Sequence, residues 1–416
     1  MGIALRRLKR LAAFFQTGWS ILGITLLMLV SVEGGFRLTF GIRDRLTAQA
    51  VPDRRVLAEG YGGAAWPVEH YRELVLLQDR WEPYVYFRQK PFHGKTIEIG
   101  DDGLRATWQS PASANERGQR GPVKILMLGG SSLWGFGARD NQTIPSLLAR
   151  SLDERGWRTE IKNLSEIGYV STQELIALVR ELQAGYRPDV VIFYDGVNDT
   201  TSAFLEVEAG VTTNEVNRRA EFNLRQSPAR LAAALAGKLI QDSGSYRFAQ
   251  MVRRRLGGGI EPARPRPEGA GIGTLAEQVV RRYEANVGLA ASLANSFGFC
   301  PLFFWQPTIF SKPKLVSVER DEAHRFKWAE EMFRQVHARI GSSSQLKADA
   351  TFRDLSEIFA ESEGLVFIDY CHITELANAR IASLMADGVI QAFERATPSG
   401  RNRVPQGGGP APQGVN

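Results

Sequence analysis

The pattern of hydrophobic and polar positions sets the N-terminal segment apart from the rest of the chain. Residues 11–32 carry no charged side chain, and four basic residues lie within the ten positions before them. At about 1.5 Å per residue, a helix of this length spans roughly 33 Å, which matches the hydrocarbon core of a bilayer. We therefore expect a transmembrane anchor over residues 11–33, preceded by a basic cytoplasmic segment over residues 1–10.

A cleaved signal peptide is the alternative, because it also starts with a basic segment and an apolar run. The run here is longer than is usual for a signal peptide, and Val32-Glu33-Gly34 is a weak cleavage site, which favours an anchor. Basic residues ahead of a first span tend to stay in the cytoplasm, although Arg37 and Arg43 beyond the span weaken this asymmetry. We expect a single-pass protein of the cytoplasmic (inner) membrane, with its body on the outer, periplasmic face.

The pattern changes again near residue 121. Residues 34–120 show no sustained helical or strand period, and we expect them to form an irregular lead-in. After them, short continuous apolar runs, typical of strands buried on both faces, alternate with amphipathic segments. Strands are predicted at 123–128, 160–164, 189–194, 300–305 and 365–368. Helices are predicted near 143–155, 171–185, 275–295, 320–340, 352–361 and 374–393, the second of them opened by a capping box at Ser171 and Glu174.

This alternation predicts an α/β fold with a doubly wound parallel sheet, because parallel neighbours need crossover connections that helices usually supply. The domain is expected over residues 121–396. Residues 200–273 form an insertion that ends in a mobile Pro/Gly-rich loop and has no assigned role. Residues 397–416 form a low-complexity tail that we expect to be disordered.

Composition excludes several classes of protein. The 416 residues include 44% hydrophobic residues and two cysteines, which excludes a disordered chain and a disulfide-stapled module. The net charge of +6 includes the N-terminal basic cluster, so we expect no nucleic-acid partner. Cys300 and Cys371 are predicted at opposite ends of the sheet, which predicts two free thiols. No cluster of ligating side chains at metal-binding spacing is present in the sequence, so we expect no metal and no cofactor.

Candidate chemistry lies after the predicted strands, where such sheets bind ligands. The first strand leads into Gly129-Gly130-Ser131-Ser132, and glycines at such a turn leave the next side chain exposed, as a nucleophilic serine requires. Neither a dinucleotide motif, a phosphate loop nor a GxSxG elbow fits this segment. The polar residues in 163–168 and 195–199 follow the next two strands and could equally be turn formers.

The last predicted strand is followed by Asp369-Tyr370-Cys371-His372. An aspartate three residues before a histidine on a loop lets the carboxylate orient the imidazole, as a general base requires. Of the five histidines, only His372 follows a predicted core strand.

These blocks, in this order, resemble those of the SGNH (GDSL-type) hydrolases, which are esterases and acyl-transfer enzymes built on a flavodoxin-like sheet. The resemblance covers about residues 123–393. It implies that Ser131 is the nucleophile and that Asp369 and His372 complete a catalytic triad. It also implies an oxyanion hole formed by the backbone N–H of Ser131, that of Gly168 and the side-chain amide of Asn198.

The chain departs from the family where an aspartate usually precedes the serine, because Gly130 stands there, as in a subgroup of membrane-anchored relatives with GGS. Ser132 is the alternative nucleophile. The favoured function is an esterase that hydrolyses an acyl ester, foremost an acetyl ester on a cell-surface glycan. Trp134 and Trp305 could face a sugar ring, although burial in the core is the favoured role of each.

Two other functions stay open. An O-acyltransferase would use the same acyl-enzyme with a sugar hydroxyl in place of water, and a non-catalytic glycan-binding or assembly factor would keep the fold alone. The oligomeric state is not determined by the sequence.

Overall fold

A computed structural model describes residues 2–50, 61, 63–110, 121–224, 226–255 and 267–396 of the chain. The predicted tail over 397–416 and most of the predicted mobile loop lie outside these residues. The chain divides into two compact units, a smaller one of residues 1–53 and 214–265 and a larger one of residues 54–213 and 266–416.

Helices and strands alternate along most of the described chain. The helices are α1 Gly2–Ala50, α2 Trp66–Leu76, α3 Ser131–Trp134, α4 Ile144–Glu154, α5 Ser171–Gln183, α6 Val197–Glu206, α7 Glu215–Leu224, α8 Pro228–Gln241, α9 Gly244–Arg255, α10 Ala270–Phe297, α11 Ser317–Arg325, α12 Lys327–Ser342, α13 Ser344–Ala348 and α14 Glu375–Ala396. The strands are β1 Asp79–Glu82, β2 Tyr86–Gln89, β3 Phe92–His93, β4 Glu98–Ile99, β5 Val123–Gly129, β6 Thr159–Asn163, β7 Val190–Asp195, β8 Cys300–Trp305 and β9 Phe352–Asp354.

The larger unit is built on a five-stranded parallel sheet in the order β6-β5-β7-β8-β9. This is the flavodoxin-like order, and it confirms the predicted doubly wound α/β fold. Helices α4 and α14 bury their apolar side chains on one face of the sheet, and α5, α10 and α12 do so on the other. The carboxyl ends of β5 and β7 are adjacent, so the loops that follow them meet at one edge.

The fifth strand is not the predicted one. Residues 365–368 are not a strand of this sheet and the predicted helix over 352–361 is also wrong, because β9 occupies the edge beside β8. Glu319 Oε1 accepts hydrogen bonds from the backbone N–H groups of Val366 and Phe367, at 2.9 and 3.0 Å. These side chains are buried, which gives the run its strand-like apolar pattern, but their N–H groups are satisfied by a carboxylate instead of a neighbouring strand.

The lead-in contains more regular structure than its sequence predicts. It forms α2 and two short antiparallel hairpins, β1–β2 and β3–β4, within the larger unit. The predicted capping box of α5 is also corrected. Gln173 Oε1 accepts from the backbone N–H of Val170 at 3.2 Å, while the hydroxyl of Ser171 donates to Asp199 at 2.6 Å.

The smaller unit consists of α1 and the helices α7, α8 and α9, so three of its four helices come from the predicted insertion. Among the described helices, α1 alone is long and apolar enough, over Gln16–Asp44, to cross a membrane. It does not end near residue 33 as the sequence analysis expected. No proline interrupts the first 50 residues, and Arg37 Nε donates to Glu33 Oε1 at 2.6 Å one turn away, so the helix continues.

Glu319 generates a prediction about stability. It pairs with Lys312, both side chains are fully buried, and Lys312 Nζ also donates to the carbonyl of Gly364 at 2.8 Å. Glu319→Ala leaves a buried unpaired ammonium and removes the acceptor of three backbone N–H groups, those of Val316, Val366 and Phe367, so we expect a loss of about 3–5 kcal/mol in the free energy of unfolding.

Denaturant unfolding of the full chain, followed by tryptophan fluorescence, measures this loss. The matched control is Glu361→Ala, which removes an exposed partner 3.7 Å from Lys314 and should cost less than about 1 kcal/mol. Equal effects of the two substitutions would contradict the role given to Glu319.

Candidate active site

Ser131 lies at the carboxyl end of the central strand β5. Gly130 is extended, with φ −86° and ψ −159°, and Ser131 then opens the single-turn helix α3. Its hydroxyl therefore projects from a sharp strand-to-helix turn. Ser131 Oγ lies 2.7 Å from Nε2 of His372, although the two residues are 241 positions apart in the chain.

Asp369 orients the imidazole of His372. Asp369 Oδ2 accepts from Nδ1 of the ring at 2.7 Å, and Oδ1 accepts from the backbone N–H groups of Cys371 and His372, at 3.0 and 2.8 Å. Since Nδ1–H donates to the carboxylate, Nε2 carries the lone pair that accepts the proton of Ser131. The three predicted triad residues thus form one continuous hydrogen-bonded chain.

The environment of Asp369 keeps it ionised. Burial alone would raise its pKa, but the charge of His372 and the hydrogen bonds from its ring and backbone outweigh burial and hold the pKa of Asp369 well below its usual range. The carboxylate is therefore a fixed negative charge beneath the ring.

The two candidate serines make different contacts. The hydroxyl of Ser132 accepts a hydrogen bond from Nε2 of Gln306 at 3.1 Å, and Gln306 is itself buried. The hydroxyl of Ser131 is the one that contacts the imidazole. The geometry therefore favours Ser131 over Ser132 as the nucleophile.

Asn198, one of the two other predicted oxyanion residues, is hydrogen-bonded to the residue that follows Gly168, the second of them. Gly168 has φ +85°, a conformation that favours glycine, and Nδ2 of Asn198 donates to the carbonyl of the next residue, Tyr169, at 2.7 Å. An amide nitrogen has two hydrogens, so the second one stays available to a ligand.

The departure at Gly130 has a steric explanation. A Cβ atom on residue 130 would lie 2.1 Å from Nδ2 of Asn198, so the amide approaches the backbone just before Ser131 as closely as a glycine permits. The side chain of Asn198 thus occupies the space that an aspartate before the serine would need. This contact places Asn198 beside the residue that precedes the candidate nucleophile.

Residues of the lead-in hold the loop that follows Ser131, and the sequence analysis did not identify them. The buried guanidinium of Arg105 donates to the carbonyls of Trp134, Gly135 and Ala138, at 3.2, 2.7 and 2.7 Å. His70 Nε2 accepts from the backbone N–H of Gly137 at 3.2 Å. Neither residue belongs to a motif, so no sequence signal indicated this role.

The loop held in this way carries Phe136, whose ring stacks on the imidazole of His372 with centroids 4.3 Å apart and planes at 27°. Together with the turn at Gly130, it leaves only 8% of Ser131 and 9% of His372 exposed. The hydroxyl and the imidazole are therefore largely shielded from solvent.

The residues around the triad also bear on metal binding, on the cysteines and on the two tryptophans. Within the described residues, one group of side chains lies close enough to share a metal ion, namely Asp369, Cys371 and His372. Nδ1 of His372, the ring nitrogen that faces the other two side chains, carries the hydrogen that it donates to Asp369 and so has no lone pair for an ion. Both cysteines of the chain are free thiols, as predicted. Trp134 and Trp305 are buried and present no ring face to a sugar.

No family model matches the chain, and no curated protein does. Among solved structures it is similar to the acetyl xylan esterase AlAXEase, at 13% identity and a TM-score of 0.33, over 65% of this chain and 99% of that one. It is also similar to TesA, at 14% identity and a TM-score of 0.33, over 66% of this chain and 99% of TesA. A third similar structure is a member of the lipolytic protein G-D-S-L family from Veillonella parvula DSM 2008, at 10% identity and a TM-score of 0.33, over 66% of this chain and 99% of that one.

Glu166, in the turn before Gly168, generates a prediction about pH. It is fully buried and accepts from the backbone N–H groups of Gln89 and Ile167, at 3.2 and 3.0 Å. Burial raises its pKa from 4.5 to about 7, although Arg88 and the N–H donors oppose the shift. Folding therefore takes up a proton between these two values.

Because the folded-state pKa is raised, the stability that this proton confers is complete below about pH 4.5 and is lost as the pH rises through 7. Glu166→Gln has no proton to lose. Relative to this variant, the wild type should lose on the order of 3 kcal/mol of unfolding free energy between pH 4.5 and pH 8. Denaturant unfolding of the wild type and of Glu166→Gln across this pH range measures the loss, with substitution of the exposed Glu160 by Gln as the control. A difference in unfolding free energy between wild type and Glu166→Gln that stays constant with pH would contradict the prediction.

Proposed function

We propose that this protein is a serine esterase of the SGNH class that hydrolyses a short acyl ester, foremost an acetyl ester, and is anchored in the cytoplasmic membrane by α1. The observation that carries the proposal is the hydrogen-bonded chain from Ser131 Oγ through His372 to Asp369, at the carboxyl end of a parallel sheet.

The first half of the reaction forms an acyl-enzyme. Ser131 Oγ attacks the ester carbonyl carbon while its proton moves to Nε2 of His372, and the ionised Asp369 stabilises the imidazolium. The tetrahedral intermediate collapses by breaking the bond to the alcohol oxygen. The imidazolium returns its proton to that oxygen, and the alcohol leaves.

The second half repeats these roles with water. His372 removes a proton from a water molecule as the water oxygen attacks the acyl carbon. The tetrahedral intermediate then collapses by breaking the bond to Ser131 Oγ, and the imidazolium returns the proton to that oxygen. In both halves, negative charge develops on the carbonyl oxygen. We assign its stabilisation to the backbone N–H groups of Ser131 and Gly168 and to the remaining amide hydrogen of Asn198.

The low exposure of the reacting side chains supports a small acyl group. Less than a tenth of Ser131 and of His372 is exposed, and Phe136 covers one face of the imidazole. A glycan carrying acetyl esters is the preferred natural substrate because the proposed topology places the catalytic unit on the outer face of the membrane. Transfer to a sugar hydroxyl, the alternative reaction, would show as an acylated acceptor instead of free acid.

A fluorophosphonate probe tests for an activated serine. After incubation of the full-length protein in detergent, intact mass should show a single adduct on the wild type and none on Ser131→Ala or His372→Ala. Ser132→Ala is the matched control and should keep the adduct. Labelling of Ser131→Ala with loss of labelling in Ser132→Ala would assign the nucleophile to Ser132, and the absence of an adduct on folded wild type would favour a non-catalytic role.

Turnover of p-nitrophenyl acetate tests the oxyanion assignment. Removing one donor with Asn198→Ala should lower kcat by on the order of 10²–10³. Gly130→Ala adds the Cβ that collides with the same amide, so it should lower kcat in the same direction.

The double variant Gly130→Ala/Asn198→Ala should be little worse than Asn198→Ala alone, because both changes act on one donor. Gly121→Ala is the control, since a Cβ there meets no atom within 4 Å. Wild-type kcat in Gly130→Ala would refute the link between Gly130 and the amide.

A further inference from the structure

Helix α8 of the smaller unit exposes an apolar face. None of its residues is buried. Leu231, Leu235 and Leu239 recur every fourth residue, and their exposed fractions are 41%, 59% and 73%. Residues spaced in this way lie along one side of a helix, whereas Arg230 falls on the opposite side by the helical period. Solvent is an unfavourable environment for such a row of leucines.

The contacts of α9 place the end of α8 relative to α1. Helix α9 starts three residues after α8 ends, and Glu33 accepts from the backbone N–H groups of Gly244 and Ser245, at 2.7 and 3.0 Å. The rings of Phe36 and Phe248 stack with centroids 4.6 Å apart. Glu33 is the first charged residue after the apolar run of α1. The carboxyl end of α8 is therefore held at the level where that run ends.

The charge of this region is complementary to an anionic surface. Residues 215–255 contain nine basic and three acidic residues. A cleft of about 590 Å³ between α1 and α9 is lined by Arg43, Arg247 and Arg255 together with Phe40 and Tyr246. One of these guanidinium groups, that of Arg247, also pairs with Asp44 at 2.8 Å. Basic residues at a membrane boundary attract anionic headgroups, and phosphate suits guanidinium geometry.

We propose that α8 lies on the surface of the membrane that α1 crosses, with Leu231, Leu235 and Leu239 among the lipid acyl chains and anionic phospholipid headgroups beside the basic cleft. An amphipathic helix of this kind binds through its apolar area and its attraction to anionic lipid. A second copy of the chain is disfavoured as the occupant because it would bring the same positive charge against itself. The inference rests on the proposed membrane anchoring of α1.

Quenching by spin-labelled lipid tests this placement. One cysteine is introduced into the full-length Cys300→Ala chain and is labelled with an environment-sensitive fluorophore; Cys371 is buried and stays unlabelled. The labelled protein is then placed in nanodiscs of phosphatidylcholine and phosphatidylglycerol that contain a doxyl-labelled lipid. The test site is Leu235→Cys, the matched control on the opposite side of α8 is Arg230→Cys, and the control for the anchor is Leu26→Cys. All three positions are exposed in the protein.

We expect emission from Leu235→Cys to shift to the blue and to be quenched several-fold more than emission from Arg230→Cys, and the quenching should weaken when phosphatidylglycerol is omitted. Equal quenching at positions 235 and 230, with Leu26→Cys strongly quenched, would overturn the surface placement and leave the anchor intact. An unquenched Leu26→Cys would overturn the anchor itself. A blue-shifted but unquenched label at position 235, together with disulfide cross-linking between chains of unlabelled Leu235→Cys, would overturn the lipid placement and identify a second copy as the occupant.

Discussion

The buried carboxylate of Asp369 is the constraint on which the candidate site depends. A charge removed from water must be compensated locally, and here two backbone N–H groups and the imidazole of His372 provide the compensation. The same bonds fix the ring so that its other nitrogen meets Ser131. The segment before Asp369 is held by a second buried carboxylate, that of Glu319, which is neutralised by Lys312.

The remaining sides of the site come from segments outside the sheet. Arg105 satisfies three carbonyls of the loop after Ser131, and this loop carries the Phe136 ring onto the imidazole. The absence of a side chain at Gly130 lets the Asn198 amide approach the serine turn. A catalytic site needs such preorganised surroundings, because a displaced hydrogen-bond donor no longer stabilises the charge that develops in the transition state.

The part of the insertion that belongs to the smaller unit contains three helices, α7, α8 and α9, in the same unit as α1. The leucines of α8 have the same spacing as those of core helices such as α4. Periodicity alone therefore does not distinguish an apolar helix face that packs against protein from one that is exposed. Contacts decide between them. In α4 the apolar side is buried against the sheet, whereas in α8 no residue is buried.

By itself, the sequence determined the features whose signals are local. Four of the five strands, most of the helices of the larger unit and the turns that carry Ser131 and His372 follow from apolar runs, helical periods and glycines, because each depends on neighbours along the chain. Tertiary structure alone decided which segment became the fifth strand and which lead-in residues hold the serine loop. Those outcomes depend on where buried N–H and C=O groups find partners, and partners such as Glu319 and Arg105 lie tens of residues away.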